Sequence, residues 1–180
     1  SIMCTCWESK VIDPEFATYG PFGFDLGMLF ANYFMAFFSQ PEHRSDNLEG
    51  YQSWILEVIV DTWEMFVEEF SQLWNTERTG MLYPKTMFED QGHSSERALQ
   101  DLLNDIWRNS LGFCGIEMHR RCLSLAHNAD FETIEDLGRR ASLEARNLMM
   151  GRDLVLHSDN ISSTADLVKL AHQFTAENFI

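Results

Sequence analysis

VIDPEFATYGPFGFDLG, residues 11–27, leads from a short apolar segment through a turn into a long apolar helix. Two carboxylates, Asp13 and Glu15, stand on either side of Pro14. In an extended chain these two side chains point to the same side, while the proline restricts the backbone and removes an amide donor. Oxygen ligands presented in this way suit Mg²⁺, so Asp13 and Glu15 are candidate metal ligands. The residues alone favour a turn in which Asp13 is a cap and Glu15 is solvated.

The composition predicts one acidic globular domain over residues 1–180. Hydrophobic residues make up 45% of the chain and aromatic residues 13%, which is enough for a sizeable core and argues against disorder. Thirteen Lys and Arg residues against 28 Asp and Glu residues give a formal net charge of −15. Nucleic acid and anionic membrane surfaces both require a basic footprint, so neither is expected as a partner.

Hydrophobic periodicity predicts a mainly α chain that begins with a β-hairpin. The hairpin is expected over residues 1–13, with its turn at Glu8 and Ser9. Apolar residues at spacings of three and four predict six helices after it. Their predicted ranges are about 25–39, 51–74, 95–110, 116–127, 134–150 and 163–177.

Residues that break helices set the expected boundaries. Pro41 is expected to end the first helix, because it lacks the backbone N–H that continues a helix. The segment 112–115 contains two glycines and is expected to separate the third helix from the fourth, and Gly151 is expected to cap the fifth. Residues 75–94 contain two glycines and a proline, and they are predicted to form a loop.

The residues around Pro14 belong to a larger set that resembles the 5-methylthioribose kinases, which are small-molecule kinases with a protein-kinase-like fold. That family carries Asp-Pro-Glu where protein kinases carry Asp-Phe-Gly. The linked set spans most of the chain and is far more specific than the tripeptide alone. It comprises residues 12–17, 19–21, 23–25, 111–113, 120–121, 126–127 and 130–132.

This resemblance implies that the chain is the C-terminal lobe of a protein-kinase-like fold, cut just after its catalytic loop. The N-terminal lobe and the catalytic base, the aspartate of a His-Gly-Asp loop, are therefore expected upstream of Ser1. The whole enzyme is expected to transfer the γ-phosphate of ATP to the anomeric hydroxyl of methylthioribose, a step in methionine salvage. Mg²⁺ held by Asp13 and Glu15 would bridge the ATP phosphates. Half of the cleft is expected to be inactive alone, since phosphoryl transfer depends on positioning.

Arg120 and Arg121 are the second pair of candidate site residues. Adjacent helical residues point about 100° apart, and both side chains are predicted to lie on partly apolar faces of one helix. A buried guanidinium requires an anionic partner, and the residues alone allow either a protein carboxylate or the phosphate of a ligand. The resemblance implies the second, because the family uses a twin arginine in its sugar-binding site.

Asp25 stands where the first helix is predicted to begin. A carboxylate there is stabilised by the helix dipole and can accept backbone N–H bonds. Capping alone would explain this residue. The resemblance adds that the matching acid braces the catalytic loop, so Asp25 is predicted to give structural support rather than to bind a ligand.

The cysteines and the apolar runs predict a cytoplasmic protein. Cys4, Cys6, Cys114 and Cys122 form no Cys-x-x-Cys pair, so no zinc site is predicted, and a reducing compartment fits best. Cys4 and Cys6 are expected to be buried thiols on one strand face. The longest apolar run, residues 26–38, is too short to span a bilayer.

Two other functions remain open from the sequence. One is a related kinase for choline, an aminoglycoside or another sugar. The other is a non-catalytic kinase remnant that binds a partner through its acidic surface, with the arginines acting as internal struts. The resembled family binds a sugar substrate and ATP, and it includes homodimers.

Overall fold

A two-stranded hairpin followed by helices makes up the described chain, so the predicted mainly α class is confirmed. The computed structural model describes residues 2–12 and 17–176. The strands β1 (Ile2–Cys4) and β2 (Ser9–Val11) are antiparallel, with Ile2 opposite Val11. The helices are α1 (Gly23–His43), α2 (Leu48–Glu77), α3 (Glu96–Leu123), α4 (Ala129–Glu132), α5 (Leu137–Leu156) and α6 (Thr164–Ala176). No helix within these residues has the length and apolar character required to cross a membrane.

The hairpin turn lies earlier than predicted. Thr5 accepts a hydrogen bond from the backbone N–H of Glu8 at 3.0 Å through its hydroxyl, and the Thr5 N–H donates to the Glu8 carbonyl at 2.8 Å. These bonds close the connection over residues 5–8, so the predicted turn at Glu8 and Ser9 is wrong. Cys4 and Cys6 are exposed, which corrects the prediction of buried thiols, because Cys6 lies in this connection and both hairpin faces are open.

Helix α1 forms the centre of the core. Its side chains Phe30, Phe34 and Phe37 are almost fully buried, and it packs against α2, α3, α4 and α5. Helix α3 runs parallel to it, because Gly23 contacts the backbone of α3 at Ser110, and Gly27 contacts it one turn further on. Helices α2 and α5 run antiparallel to α3.

Helix α1 continues through Pro41 to His43, so the predicted end before this proline is wrong. Proline leaves the carbonyl four residues earlier, that of Phe37, without its helical N–H donor. The side chain of Gln52 on α2 donates to this carbonyl at 2.9 Å. The interruption costs little, because a neighbouring helix supplies the missing hydrogen bond.

Helix α3 is continuous where two helices were predicted. It runs through residues 112–115 and ends at Leu123, so the predicted break and the predicted helical end near His127 are both wrong. Helix α5 likewise passes through Gly151, so its predicted cap there is wrong. The two helices cross with Gly115 against the Gly151 carbonyl. These glycines allow close packing of two backbones, which compensates for their low helix propensity.

The predicted loop between the second and third helices is confirmed, although α2 extends to Glu77. Its fold is held by Arg78, whose side chain is only 6% exposed and whose guanidinium stacks over the Trp74 ring at 4.7 Å. Arg78 donates to the Ser95 hydroxyl at 2.6 Å and to the Glu89 carboxylate. The Ser95 hydroxyl donates in turn to Glu89 at 2.6 Å. This cluster ties the loop to the start of α3.

We expect Glu89→Gln to destabilise the chain at neutral pH and to have little effect in acid. Hydrogen bonds from Arg78, which has the larger effect, and from Ser95 lower the pKa of the Glu89 carboxyl from 4.5 to about 2. A carboxyl with a lowered folded-state pKa stabilises the fold above its unfolded pKa, and this contribution disappears as the pH falls from about 4.5 to 2. Urea unfolding of both proteins across this range measures the difference. The exposed neighbour Asp90, changed to Asn, is the control, and a difference that stays constant with pH would contradict the assignment.

Candidate functional site

The twin arginines lie in the last turn of α3 and share one buried carboxylate. Glu117 is one turn earlier on the same helix, and its side chain is 2% exposed. One Glu117 oxygen accepts from Arg120 Nε at 2.6 Å, and the other accepts from Arg120 Nη2 at 2.8 Å and from Arg121 Nε at 2.7 Å. Arg121 Nη1 also donates to the carbonyl of Ala126 at 3.3 Å, in the turn after the helix.

The acid lies beneath the two cations. The side chains of Arg120 and Arg121 are 45% and 31% exposed, whereas Glu117 is enclosed. Both arginine side chains are therefore partly open to solvent, whereas the carboxylate that they share is not. The protein carboxylate that the sequence allowed as one partner for the arginines is present. Because both arginines are partly exposed, the carboxylate does not exclude an anionic ligand as a further partner.

The electrostatics of this cluster favour the charged forms of Glu117 and Arg120. Burial raises the pKa of the Glu117 carboxyl, but the hydrogen bonds from Arg120 and Arg121 outweigh it, and the net shift is downward. The hydrogen bond to Glu117 raises the pKa of Arg120. One carboxylate against two guanidiniums gives a local charge of +1 in a chain of net charge −15. The cluster is thus a small positive site on an acidic body.

Sequence reasoning missed Glu117. The signal was present, because a carboxylate three and four residues before two arginines lies on the same helical face as both. It was hidden by the predicted helix break at residues 112–115, which put Glu117 at a helix start rather than in the interior.

The predicted metal ligands Asp13 and Glu15 lie outside the described residues. Within residues 2–12 and 17–176, no group of three or more His, Cys, Asp and Glu side chains could hold a metal ion. The role of Asp13 and Glu15 as metal ligands stays a prediction.

Asp25 lies exposed in the first turn of α1. The cap position itself is Phe22, which has no side-chain cap. Asp25 is thus placed where the helix dipole favours a carboxylate, as predicted. Bracing of a catalytic loop stays a prediction.

Two concave regions in the described chain lie away from the arginine cluster. The first, of about 290 Å³, is a groove between α2 and α6 with Leu56 and His172 in its wall. The second, of about 430 Å³, lies between α5 and α6 and is lined by Asp153, Asp166 and Lys169. Neither region is lined by Arg120 or Arg121.

The relatives found by comparison with known proteins are methylthioribose kinases. No protein-family model matches the chain. A methylthioribose kinase of Escherichia coli is 35% identical over 173 residues, which is 95% of this chain and 41% of that protein. One from a Geobacillus species is 38% identical over 96% of this chain and 39% of its own length. Methylthioribose kinase 2 of rice is 39% identical over 82% of this chain and 35% of its own length. The chain thus spans about two fifths of these relatives.

Proposed function

We propose that this chain, which is related to the methylthioribose kinases along nearly its whole length, is part of an ATP-dependent kinase for 5-methylthioribose. The observation that carries the proposal is the identity of 35–38% over 95–96% of the chain to bacterial methylthioribose kinases. The acceptor would be the anomeric hydroxyl of the sugar, and the reaction would belong to methionine salvage. In this proposal residues 1–180 are part of the C-terminal lobe of a protein-kinase-like fold.

The proposal gives a role to each candidate residue. Asp13 and Glu15 would hold Mg²⁺, which supplies positive charge to the ATP phosphates when bound. Arg120 and Arg121 would contact the sugar and the transferred phosphate, and Asp25 would support the catalytic loop. The general base would come from outside these 180 residues, as would the groups that bind adenine.

The arginine cluster has the chemistry that an oxyanion requires. Bonds to Glu117 and Ala126 occupy two nitrogens of each arginine. In the described part of the chain, Arg120 Nη1 and Arg121 Nη2 make no hydrogen bond, so their N–H groups can donate to a ligand. Guanidinium donors match the geometry of phosphate, and the local charge of +1 favours an anion.

Two further expectations belong to this proposal. The four free cysteines support a reducing cytoplasmic location. The homodimer implied by the resemblance stays a prediction, which sedimentation of the longer protein would test.

We expect the longer protein that contains this chain to phosphorylate 5-methylthioribose with ATP, and the 180-residue chain alone to show no activity. Phosphoryl transfer requires the base, the nucleotide and the acceptor to be held in one geometry, and this chain spans about two fifths of its relatives. Transfer of the labelled γ-phosphate of ATP to the sugar is the measurement.

The controls are choline, an aminoglycoside and a second sugar. Turnover of one of these by the longer protein, with methylthioribose inert, would replace the proposal with a related kinase. Inactivity on every substrate would favour the non-catalytic remnant. Turnover by the 180-residue chain alone would refute the expectation that half the cleft is inactive.

A further inference from the structure

We propose that Glu117 is a positioning residue that holds Arg120 and Arg121 in one orientation to receive the phosphate of a sugar phosphate. This inference rests on the proposed function, because it deepens the role given there to the arginines. Glu117 itself does not contact the ligand in this proposal, since its carboxylate is enclosed beneath the two cations.

The hydrogen bonds show how one carboxylate orients two side chains. Both Glu117 oxygens accept from Arg120, at 2.6 and 2.8 Å, which fixes the plane of that guanidinium. The second of these oxygens also accepts from Arg121 Nε at 2.7 Å. The bond from Arg121 to the Ala126 carbonyl adds a second fixed point. Two nitrogens of each guanidinium are thus occupied, whereas Arg120 Nη1 and Arg121 Nη2 make no hydrogen bond within the described residues.

An arginine side chain at a helix end would otherwise sample many rotamers. Immobilising such a side chain at the moment of binding reduces affinity, and a protein that has already ordered it avoids that cost. The enclosed carboxylate is therefore well placed to prepare the site before the ligand arrives. If the arginines served only to neutralise the buried carboxylate, one arginine would be sufficient. This cluster contains two, and both remain partly exposed.

Charge and geometry predict opposite effects when Glu117 is changed. Loss of the carboxylate charge would raise the local charge from +1 to +2, and electrostatics alone would then tighten the binding of an oxyanion. If Glu117 acts by positioning, its loss should weaken binding in spite of the added charge. Glu117→Asp keeps the negative charge but has a shorter side chain, which places the carboxylate further from the two arginines. This variant therefore tests the effect of geometry at constant charge.

The test uses the 180-residue chain and ribose 1-phosphate as the probe. The side-chain Nε–H signals of the arginines are followed by ¹⁵N NMR during the titration in the wild type, Glu117→Asp and Glu117→Gln. The matched control is Glu144→Gln, because Glu144 on α5 accepts from Arg140 Nε at 2.8 Å in a similar helical pair outside the cluster.

We expect the wild-type Nε–H groups of Arg120 and Arg121 to exchange slowly. That of Arg97 should exchange fast, because its bonds to Asp101 lie at the surface and its side chain is 88% exposed. Both Glu117 variants should lose this protection and bind ribose 1-phosphate about tenfold more weakly, whereas Glu144→Gln should match the wild type. If one Glu117 variant fails to fold, the other variant and the wild-type exchange rates still decide the result.

Fast exchange at both wild-type Nε–H groups would overturn the inference, as would unchanged affinity in Glu117→Asp or tighter binding in Glu117→Gln. A wild-type chain that does not respond to ribose 1-phosphate, while the longer protein is an active methylthioribose kinase, would also overturn it and leave the proposed function standing. An inactive longer protein with intact Nε–H protection and phosphate binding would instead remove only the proposed function.

Discussion

Gly115→Ala is expected to lower the free energy of unfolding by about 3 kcal/mol. An added Cβ at this position would clash with the carbonyl oxygen of Gly151 and lie 2.8 Å from Cγ2 of Val155. The oxygen belongs to the backbone of α5, so relief requires the two helices to move apart. That movement would loosen the buried contacts of both helices, since α3 and α5 pack along much of their length. Chemical denaturation monitored by circular dichroism measures the loss.

Gly112→Ala is the matched control for this prediction. Gly112 lies three residues earlier on the same helix, and an added Cβ there would meet no atom within 4 Å. Alanine has the higher helix propensity, so this variant should be more stable than the wild type by up to about 1 kcal/mol. Equal effects of the two substitutions would show that α3 and α5 do not cross at Gly115.

Arg121→Ala in the longer protein is expected to lower kcat/KM for methylthioribose by about 10²–10³-fold. A donor aimed at the charge that develops during phosphoryl transfer typically contributes that much. The proposed contact of Arg121 with the transferred phosphate is such an interaction. Arg121 Nη2 makes no hydrogen bond within the described residues, while Nε is bound to Glu117 and Nη1 to the Ala126 carbonyl. Steady-state kinetics with varied methylthioribose and saturating ATP provide the measurement.

Arg140→Ala serves as the control for Arg121. Arg140 is also a partly buried arginine, and it also pairs with a carboxylate on its own helix, that of Glu144 at 2.8 Å. Arg140→Ala should lower stability slightly, because an ion pair of this kind contributes little to it. Its kcat/KM should stay within about threefold of the wild-type value. If Arg121→Ala lowered kcat/KM no more than Arg140→Ala does, the twin arginines would have only a structural role.

The effects predicted for Gly115→Ala and Arg121→Ala depend on the same crossing of α3 and α5. Gly115 allows α5 to lie close to α3, and Glu117 lies two residues further along α3. Asn147 on α5 donates to the Met118 carbonyl at 3.2 Å, so contacts continue past Gly115 towards the arginines. The close approach of two backbones therefore helps to enclose the carboxylate that both guanidiniums share.

Part of this architecture was predictable from local patterns. Apolar spacing in the second helix and the final helix placed both within a few residues of α2 and α6. The linked motifs around Pro14 and the twin arginine pointed to the methylthioribose kinases, and the similarity to these kinases confirms that resemblance. Local signals are sufficient here because a helix with one apolar face, or a motif of adjacent residues, is encoded within a short stretch of chain.

The wrong boundaries share one physical cause. Pro41, the segment 112–115 and Gly151 each weaken a helix considered alone, and each was predicted to end one. In the fold, the missing hydrogen bond at Phe37 comes from Gln52 on α2, and the glycines allow α3 and α5 to pack closely. The compensation comes from residues that are distant in sequence, which periodicity does not detect.

Composition, spacing and motifs were sufficient for the mainly α class, the acidic charge, the kinase resemblance and the candidates Asp13, Glu15, Arg120 and Arg121. The packing of the helices was needed to show that α3 is one helix, that Glu117 lies enclosed, and that both arginines sharing it remain partly exposed. Residue type and spacing set what a side chain can do, whereas burial and the partner of a charge depend on which other helices pack against it.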